Sequence, residues 1–194
     1  MYYKYWINDT VLPDSLCDTI IQQVEQEQQF GPLRYGTLYG QRQDPDLRTS
    51  GVLLFPATTW IGGMLSHYVN IANRTTFEFD LDDMWAGNNI QYTMYKGGEH
   101  YTWHSDEHLT NREDGQSVSH LRKLSFSLQL TDPSEYTGGD VQIIDDTGGR
   151  GMLTILKERG TLCIFDSRTR HRVKPVKTGK RFVLVGWVLG PRWK

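Results

Sequence analysis

From Asn89 onward apolar residues recur at every second position, and this alternation constrains the fold more than any other feature of the chain. Leu124, Phe126, Leu128 and Leu130 alternate with Ser125, Ser127 and Gln129. The pattern continues at Val141 and Ile143, Leu153 and Ile155, Leu162 and Ile164, and Phe182 and Leu184. Gly138-Gly139, Gly148-Gly149 and Thr178-Gly179 separate the runs as turns. Many short strands at near-regular spacing, preceded by helices, predict a mainly β fold with flanking helices. Its core is a double-sheet jelly roll (a double-stranded β-helix) over about 89–194. Residues about 1–88 form a helical support packed outside one sheet. A length of 194 residues suits a single domain with a sizeable core.

The first helix is read from Leu16, Ile20, Ile21 and Val24, with Pro13 and Asp14 suited to its start. The polar run Gln22 to Gln29 is its solvated face and C-terminal end, and Gly31-Pro32 stops it. A second helix fits Thr58 to about Ala72. There Ile61, Met64, Leu65, Tyr68, Ile71 and Ala72 share one stripe, and Thr58 or Thr59 caps it. The segment Glu107 to Ser119 is polar and aperiodic, a plausible mobile loop.

A net charge of -2 exerts no global pull toward nucleic acid or membrane. Cys17 and Cys163 make no disulfide framework and no zinc-ligand spacing, and they suit a reducing compartment. The segment Met1 to Trp6 lacks a signal-peptide profile, and no apolar run reaches the length of a membrane span. A soluble, cytoplasmic protein is expected. Six Trp and ten Tyr fit the packing of a β core.

The chemistry concentrates in Trp103-His104-Ser105-Asp106 and in Arg170-His171-Arg172. On one strand, His104 and Asp106 share a face, because residues i and i+2 point the same way. His171 joins them if a distant strand lies opposite, as a jelly roll arranges. Two imidazoles and one carboxylate are the ligand set of a non-heme Fe(II) oxygenase, with the remaining positions open. The competing reading makes each an ordinary surface or hydrogen-bonded residue, since His-x-Asp is common by chance. His100, His108 and His120 have no carboxylate two residues on and read as loop histidines. Arg181, in Lys180-Arg181-Phe182-Val183-Leu184, points inward on an alternating strand, where a buried guanidinium needs an anion such as a dicarboxylate. The alternative is an outward Arg in solvent.

Together these residues carry a family resemblance. The pattern Tyr95-x-x-Gly98-x-x-Tyr101-x-x-His104-x-Asp106 is followed by Gly138-Gly139-Asp140. Then come His171-x-Val173-x-Pro175-Val176-x-x-Gly179-x-Arg181 and Trp187. Over about Asn89 to Pro191 this resembles the 2-oxoglutarate- and Fe(II)-dependent oxygenases, within them the prolyl 4-hydroxylase branch with its bacterial and phage PKHD-type members. The resemblance implies that His104, Asp106 and His171 hold iron and that Arg181 and Tyr95 hold the distal carboxylate of 2-oxoglutarate. It implies that Tyr101 and Trp187 shape the substrate mouth and that Arg122 contacts peptide. The implied cofactors are Fe(II), 2-oxoglutarate, O2 and ascorbate. The implied reaction hydroxylates a prolyl residue of a peptide or protein, releasing succinate and CO2, with neither nucleic acid nor membrane as partner and no oligomeric state specified. The same chemistry on a free amino acid, a small metabolite or another protein side chain is the alternative, and a non-catalytic metal-binding jelly roll is a third. The Glu107 to Ser119 loop departs from any pattern the family offers, and the N-terminal half shows no recognisable peptide-binding module.

Overall fold

The computed structural model describes residues 4–9, 11–26, 34–35, 44–84, 89–107, 109–111, 119–146 and 151–193. Helix α1 spans Asp14–Gln26, directly after Pro13, and buries Cys17, Ile20 and Val24, spaced three and four apart. Helix α2 spans Trp60–Ala72 and buries Ile61, Leu65, Val69 and Ala72. Thr59 caps it, its side chain accepting from the Gly62 N–H. A wide helical turn, Asn73–Phe77, continues α2. The Asn73 side chain then brackets Phe79, donating to its carbonyl and accepting from its N–H, both at 2.9 Å.

Among the described residues the strands are β1 (Tyr5–Asn8), β2 (Arg34–Tyr35), β3 (Gly51–Pro56), β4 (Asn89–Lys96), β5 (Tyr101–His104), β6 (Leu109–Asn111), β7 (Ser119–Gln129), β8 (Tyr136–Gly138), β9 (Val141–Asp145), β10 (Gly151–Thr154), β11 (Leu162–Asp166), β12 (His171–Val173) and β13 (Val176–Gly190). The major sheet runs β1-β11-β7-β13-β4-β3-β2, with β6 on β7 and β8 on β13. The minor sheet runs β10-β9-β12-β5. The pairings are antiparallel. One apolar cluster joins Cys17, Ile20, Leu65 and Val69 of the helices to Tyr92, Leu124, Leu128 and Leu184 of the major sheet. A second sets Val141 and Ile143 of the minor sheet against Cys163 and Phe165 of β11. Helices therefore cover one face of the major sheet and the minor sheet covers the other, which is the expected jelly roll with helices outside one sheet.

Three local expectations are corrected. The region about 1–88 is not helical alone, because β1 pairs with β11 and β3 with β4, extending the major sheet at both ends. The stretch Glu107 to Ser119 is not wholly irregular. β6 lies in it and pairs with β7 in the register Leu109↔Leu121. Thr178-Gly179 does not separate strands but bends β13, whose partner changes there from β8 to β4. Gly179 has φ +73°, and a Cβ would meet the Glu135 carbonyl oxygen at 2.0 Å, so only glycine fits the bend. Residues 27–29, Gly31-Pro32, His108, 112–118 and Gly148-Gly149 lie outside the described residues. Among the described residues no helix is long and apolar enough to cross a membrane.

Gly62 lets α2 approach the preceding turn. A Cβ there would meet the Ala57 carbonyl oxygen at 1.9 Å. Backbone must shift to admit it, so Gly62→Ala is expected to cost about 1–3 kcal/mol, as overpacking does. A thermal melt measures this, and an unchanged Tm would contradict the tight contact.

Candidate functional site

Strand pairing brings the two histidines together. β5 ends at His104, which sits opposite His171 of β12, with ring centroids 4.1 Å apart. Asp106 does not share the strand with His104 as expected; it follows the strand end. Its N–H and that of Glu107 both donate to the Ser167 carbonyl, at 2.9 and 3.0 Å. Asp106 Oδ1 lies 3.7 Å from His104 Nε2, and Oδ2 lies 3.4 Å from His171 Nε2. One ligand atom from each of the three falls within 4.8 Å of the others.

Both imidazoles are oriented by backbone. The Nδ1 atoms of His104 and His171 lie 2.8 and 3.0 Å from the carbonyl oxygens of Thr102 and Thr169. A carbonyl only accepts, so Nδ1 carries the proton and Nε2 presents its lone pair to the centre of the triad. Burial and the facing His171 push the His104 pKa down to about 3, so the ring is neutral at pH 7. Burial alone would raise the Asp106 carboxyl. His171, His104, Arg122 and a hydrogen bond from Trp187 outweigh it and hold the group below the usual carboxylate range. Ser125 Oγ donates to Asp106 Oδ2 at 2.8 Å and lies 2.8 Å from Ser167 Oγ. The triad thus offers two imidazole nitrogens and one carboxylate, all pre-aimed.

The same cavity is lined by Arg181, Tyr95, Tyr101 and Trp187, with valines from three strands. Arg181 points inward as the alternation required and is 1% exposed. It pairs in register with Tyr95, and its Cζ lies 5.6 Å from the Tyr95 ring centroid. Its Nε donates to Gln129 Oε1 at 3.1 Å, while Nη1 and Nη2 are buried with no hydrogen-bond partner. A buried guanidinium with two idle donors is costly unless an anion completes it.

The remaining expected residues lie around this frame. Tyr101 stacks on His104, centroids 3.4 Å apart. Trp187 faces the cavity and hydrogen-bonds Asp106. Arg122 stacks its guanidinium 3.7 Å from the Trp187 ring centroid and is not among the cavity-lining residues. His100 bonds with Thr49 and His120 lies 3.1 Å from Asp82, so neither joins the triad. Sequence reasoning missed Arg48. Residues 47–49 pair with 100–102 along the open edge of β5, through Thr102 N–H to Leu47 O and a reciprocal Thr49–His100 pair. Arg48 therefore enters the cavity, 8% exposed, its Nε bonded to Ser50 Oγ and its Cζ 4.9 Å from the Tyr101 ring centroid.

Two nitrogens and a carboxylate on one face fit a ferrous ion with open positions. The orphaned Arg181 guanidinium fits the far end of a dicarboxylate such as 2-oxoglutarate. Comparison with known proteins gives the same answer from sequence. A PKHD-type hydroxylase of Synechococcus elongatus is 35% identical over 100 residues, which is 52% of this chain and 42% of that protein. The chain therefore spans well under two thirds of that relative's length. Two solved structures share the fold. A Pseudomonas putida prolyl-4-hydroxylase matches with a TM-score of 0.70 at 18% identity, over 98% of this chain and 94% of that one. A prolyl hydroxylase from Trichoplax adhaerens, in complex with a hypoxia inducible factor oxygen degradation domain peptide fragment, matches with 0.74 at 18% identity, over 96% and 84%. Residues 90–189, which carry the triad, Tyr95 and Arg181, match the model of one family, and by that match the chain belongs to the 2OG-Fe(II) oxygenase superfamily.

Proposed function

We propose that the chain is a 2-oxoglutarate- and Fe(II)-dependent dioxygenase that hydroxylates a prolyl residue, at the 4 position, in a peptide or protein. The observation that carries this reading is the unpartnered, buried Arg181 guanidinium in the same cavity as the His104–Asp106–His171 triad. His104, Asp106 and His171 would hold a ferrous ion, which would supply the chemistry that couples O2 reduction and the decarboxylation of 2-oxoglutarate, to succinate and CO2, with hydroxylation of a C–H bond.

The protein supplies placement. His104 and His171 donate through Nε2 because Nδ1 is committed to backbone. Ser125 and Trp187 hold the Asp106 carboxylate at a fixed angle. Arg181 takes the distal carboxylate of 2-oxoglutarate through Nη1 and Nη2, with Tyr95 beside it, so a remote ion pair sets the orientation of the keto acid. Val141, Val173, Val183 and Val185 line the cavity with Tyr101 and Trp187, which suits a small apolar prolyl ring and excludes stray water. Arg122 acts at the rim, through Trp187, where it meets peptide. The major sheet packs apolar residues against the helices and against the minor sheet in two clusters, which supports reading 1–194 as one domain.

Arg48 favours a second reading. Its guanidinium lines the cavity and no acidic side chain pairs with it among the described residues. A free amino acid or other small acid would complete it. The test is succinate release from 2-oxoglutarate with Fe(II), against proline-containing peptides and, separately, free amino acids, with a mass gain of one oxygen in the product. Turnover on peptides supports the first reading and turnover on free acids alone the second. No succinate with either would refute both. Under the peptide reading, Arg122→Ala is expected to raise the KM for peptide about tenfold while sparing that for 2-oxoglutarate, the effect of losing one charged contact worth ~1.4 kcal/mol. Unchanged peptide kinetics would remove Arg122 from the substrate site.

A further inference from the structure

Trp193 lies beyond β13, outside the cavity lining, yet it touches a neighbour of each element that fixes Asp106. Its indole Nε1 donates to Glu107 Oε1 at 2.6 Å, and Glu107 is the residue after the ligand. The Lys123 ammonium sits 3.3 Å from its ring centroid, and Lys123 is two residues before Ser125, whose hydroxyl bonds Asp106. The Arg168 guanidinium sits 3.9 Å from the same centroid, and Arg168 follows Ser167, whose carbonyl receives the N–H groups of Asp106 and Glu107. Phe79 meets the ring edge-on at 4.8 Å.

These contacts are built rather than incidental. Lys123 is 2% exposed, and an ammonium so buried needs a compensating partner, which the indole face provides. Arg168 is locked to the Asp166 carboxylate by three bonds of 2.6 to 3.0 Å, so its plane cannot turn away from the ring. Two cations share one indole, and the carboxylates of Asp80, Glu107 and Asp166 lie within electrostatic reach of Lys123 beside it. Phe79 is in turn clamped by Asn73, which ties the ring to the end of α2.

We infer that Trp193 is a positioning residue for the Asp106 ligand. It joins Glu107, Lys123 and Arg168, and so fixes the three segments whose backbone and side chains aim the carboxylate. This role rests on the metal reading of the triad and adds to it a residue outside residues 90–189, which the family model matches.

Mn(II) binding to the full chain, followed by electron paramagnetic resonance, tests the inference without turnover. Trp193→Phe keeps an aromatic face for the cations, though a smaller one, and loses the N–H. It is expected to raise the Mn(II) dissociation constant about tenfold, the low end for groups that orient ligands without binding metal. Glu107→Ala should do the same, the double variant should be no worse than either single one, and Glu107→Gln, which keeps an acceptor oxygen, should bind as the wild type does. Gly62→Ala, which strains α2 at a residue that does not line the cavity, is the control and should leave Mn(II) affinity unchanged. Additive losses in the double variant, unchanged affinity in Trp193→Phe, or an equal loss in Gly62→Ala would each overturn the role. Asp106→Asn separates the two claims. Wild-type chain that binds Mn(II) no better than Asp106→Asn overturns the metal centre and this inference with it, whereas binding lost in Asp106→Asn but intact in Trp193→Phe overturns only the inference.

Discussion

Arg181→Met is expected to weaken 2-oxoglutarate binding about 100- to 1,000-fold and, at the same time, to raise the stability of the ligand-free chain. The first effect follows from removing one partner of a buried ion pair, a loss of about 3–4 kcal/mol that strands the distal carboxylate in an apolar pocket. The second follows from the state of Arg181 without ligand. Its Nη1 and Nη2 are buried and unpaired, and only Nε is satisfied, by Gln129. A shorter apolar thioether removes that burden and leaves one orphan, Gln129 Oε1, for a net gain of about 1–2 kcal/mol. The measurements are the KM for 2-oxoglutarate and the Tm with and without it. Wild-type Tm should climb with 2-oxoglutarate and the variant's should not, since a ligand stabilises only the state it binds. A variant that keeps its 2-oxoglutarate KM within twofold would refute the carboxylate assignment. One that melts well below the wild type without ligand would show that Arg181 is a structural group.

Arg181 was legible because strand alternation fixes direction. Once Phe182 and Leu184 are assigned to the core, Arg181 and Val183 must face the other way, and both line the cavity. The same rule hid the rest of that face. Ser125, Ser127 and Gln129 are the polar half of an alternating run, and polarity alone does not distinguish a solvent face from a face turned to a functional cavity. In the structure all three are buried, Ser125 bonding Asp106 and Gln129 bonding Arg181. Arg48 was invisible for a different reason. Its place depends on residues 47–49 pairing with 100–102 across a long separation, and no local period encodes that contact. The histidines needed only a pairing of two strands, which the jelly roll supplies in the register His171↔His104. Asp106 reached the triad by another route than the shared strand face, since the Ser167 carbonyl captures its N–H beyond the end of β5. Residue spacing therefore picked out three side chains that do converge, while misplacing the element that carries one of them.

Asp106→Asn should abolish metal binding while leaving the fold intact, and the reason is charge rather than shape. The amide has the size of the carboxylate, and its oxygen can still accept from Ser125. What disappears is the single negative charge in a site whose other two ligands, imidazoles, bring none, His104 with its pKa pushed down to about 3 by burial and by His171. A divalent cation would then sit in a buried cavity lined by Arg48 and Arg181 with no counter-charge from the triad. At contact distance one unit charge against a divalent ion is worth several kcal/mol even at an effective dielectric of about 20, so affinity should fall by more than about 100-fold. The metal-free variant should still fold, at a modest cost in stability, because the pulls of His171, His104, Arg122 and Trp187 that outweigh the burial of the carboxylate are weakened. Titration with Mn(II) and a thermal melt of the metal-free variant check both halves. Near wild-type Mn(II) affinity in Asp106→Asn would mean that the ion is held elsewhere. Undisturbed affinity in His104→Ala and His171→Ala as well would place it outside the triad altogether.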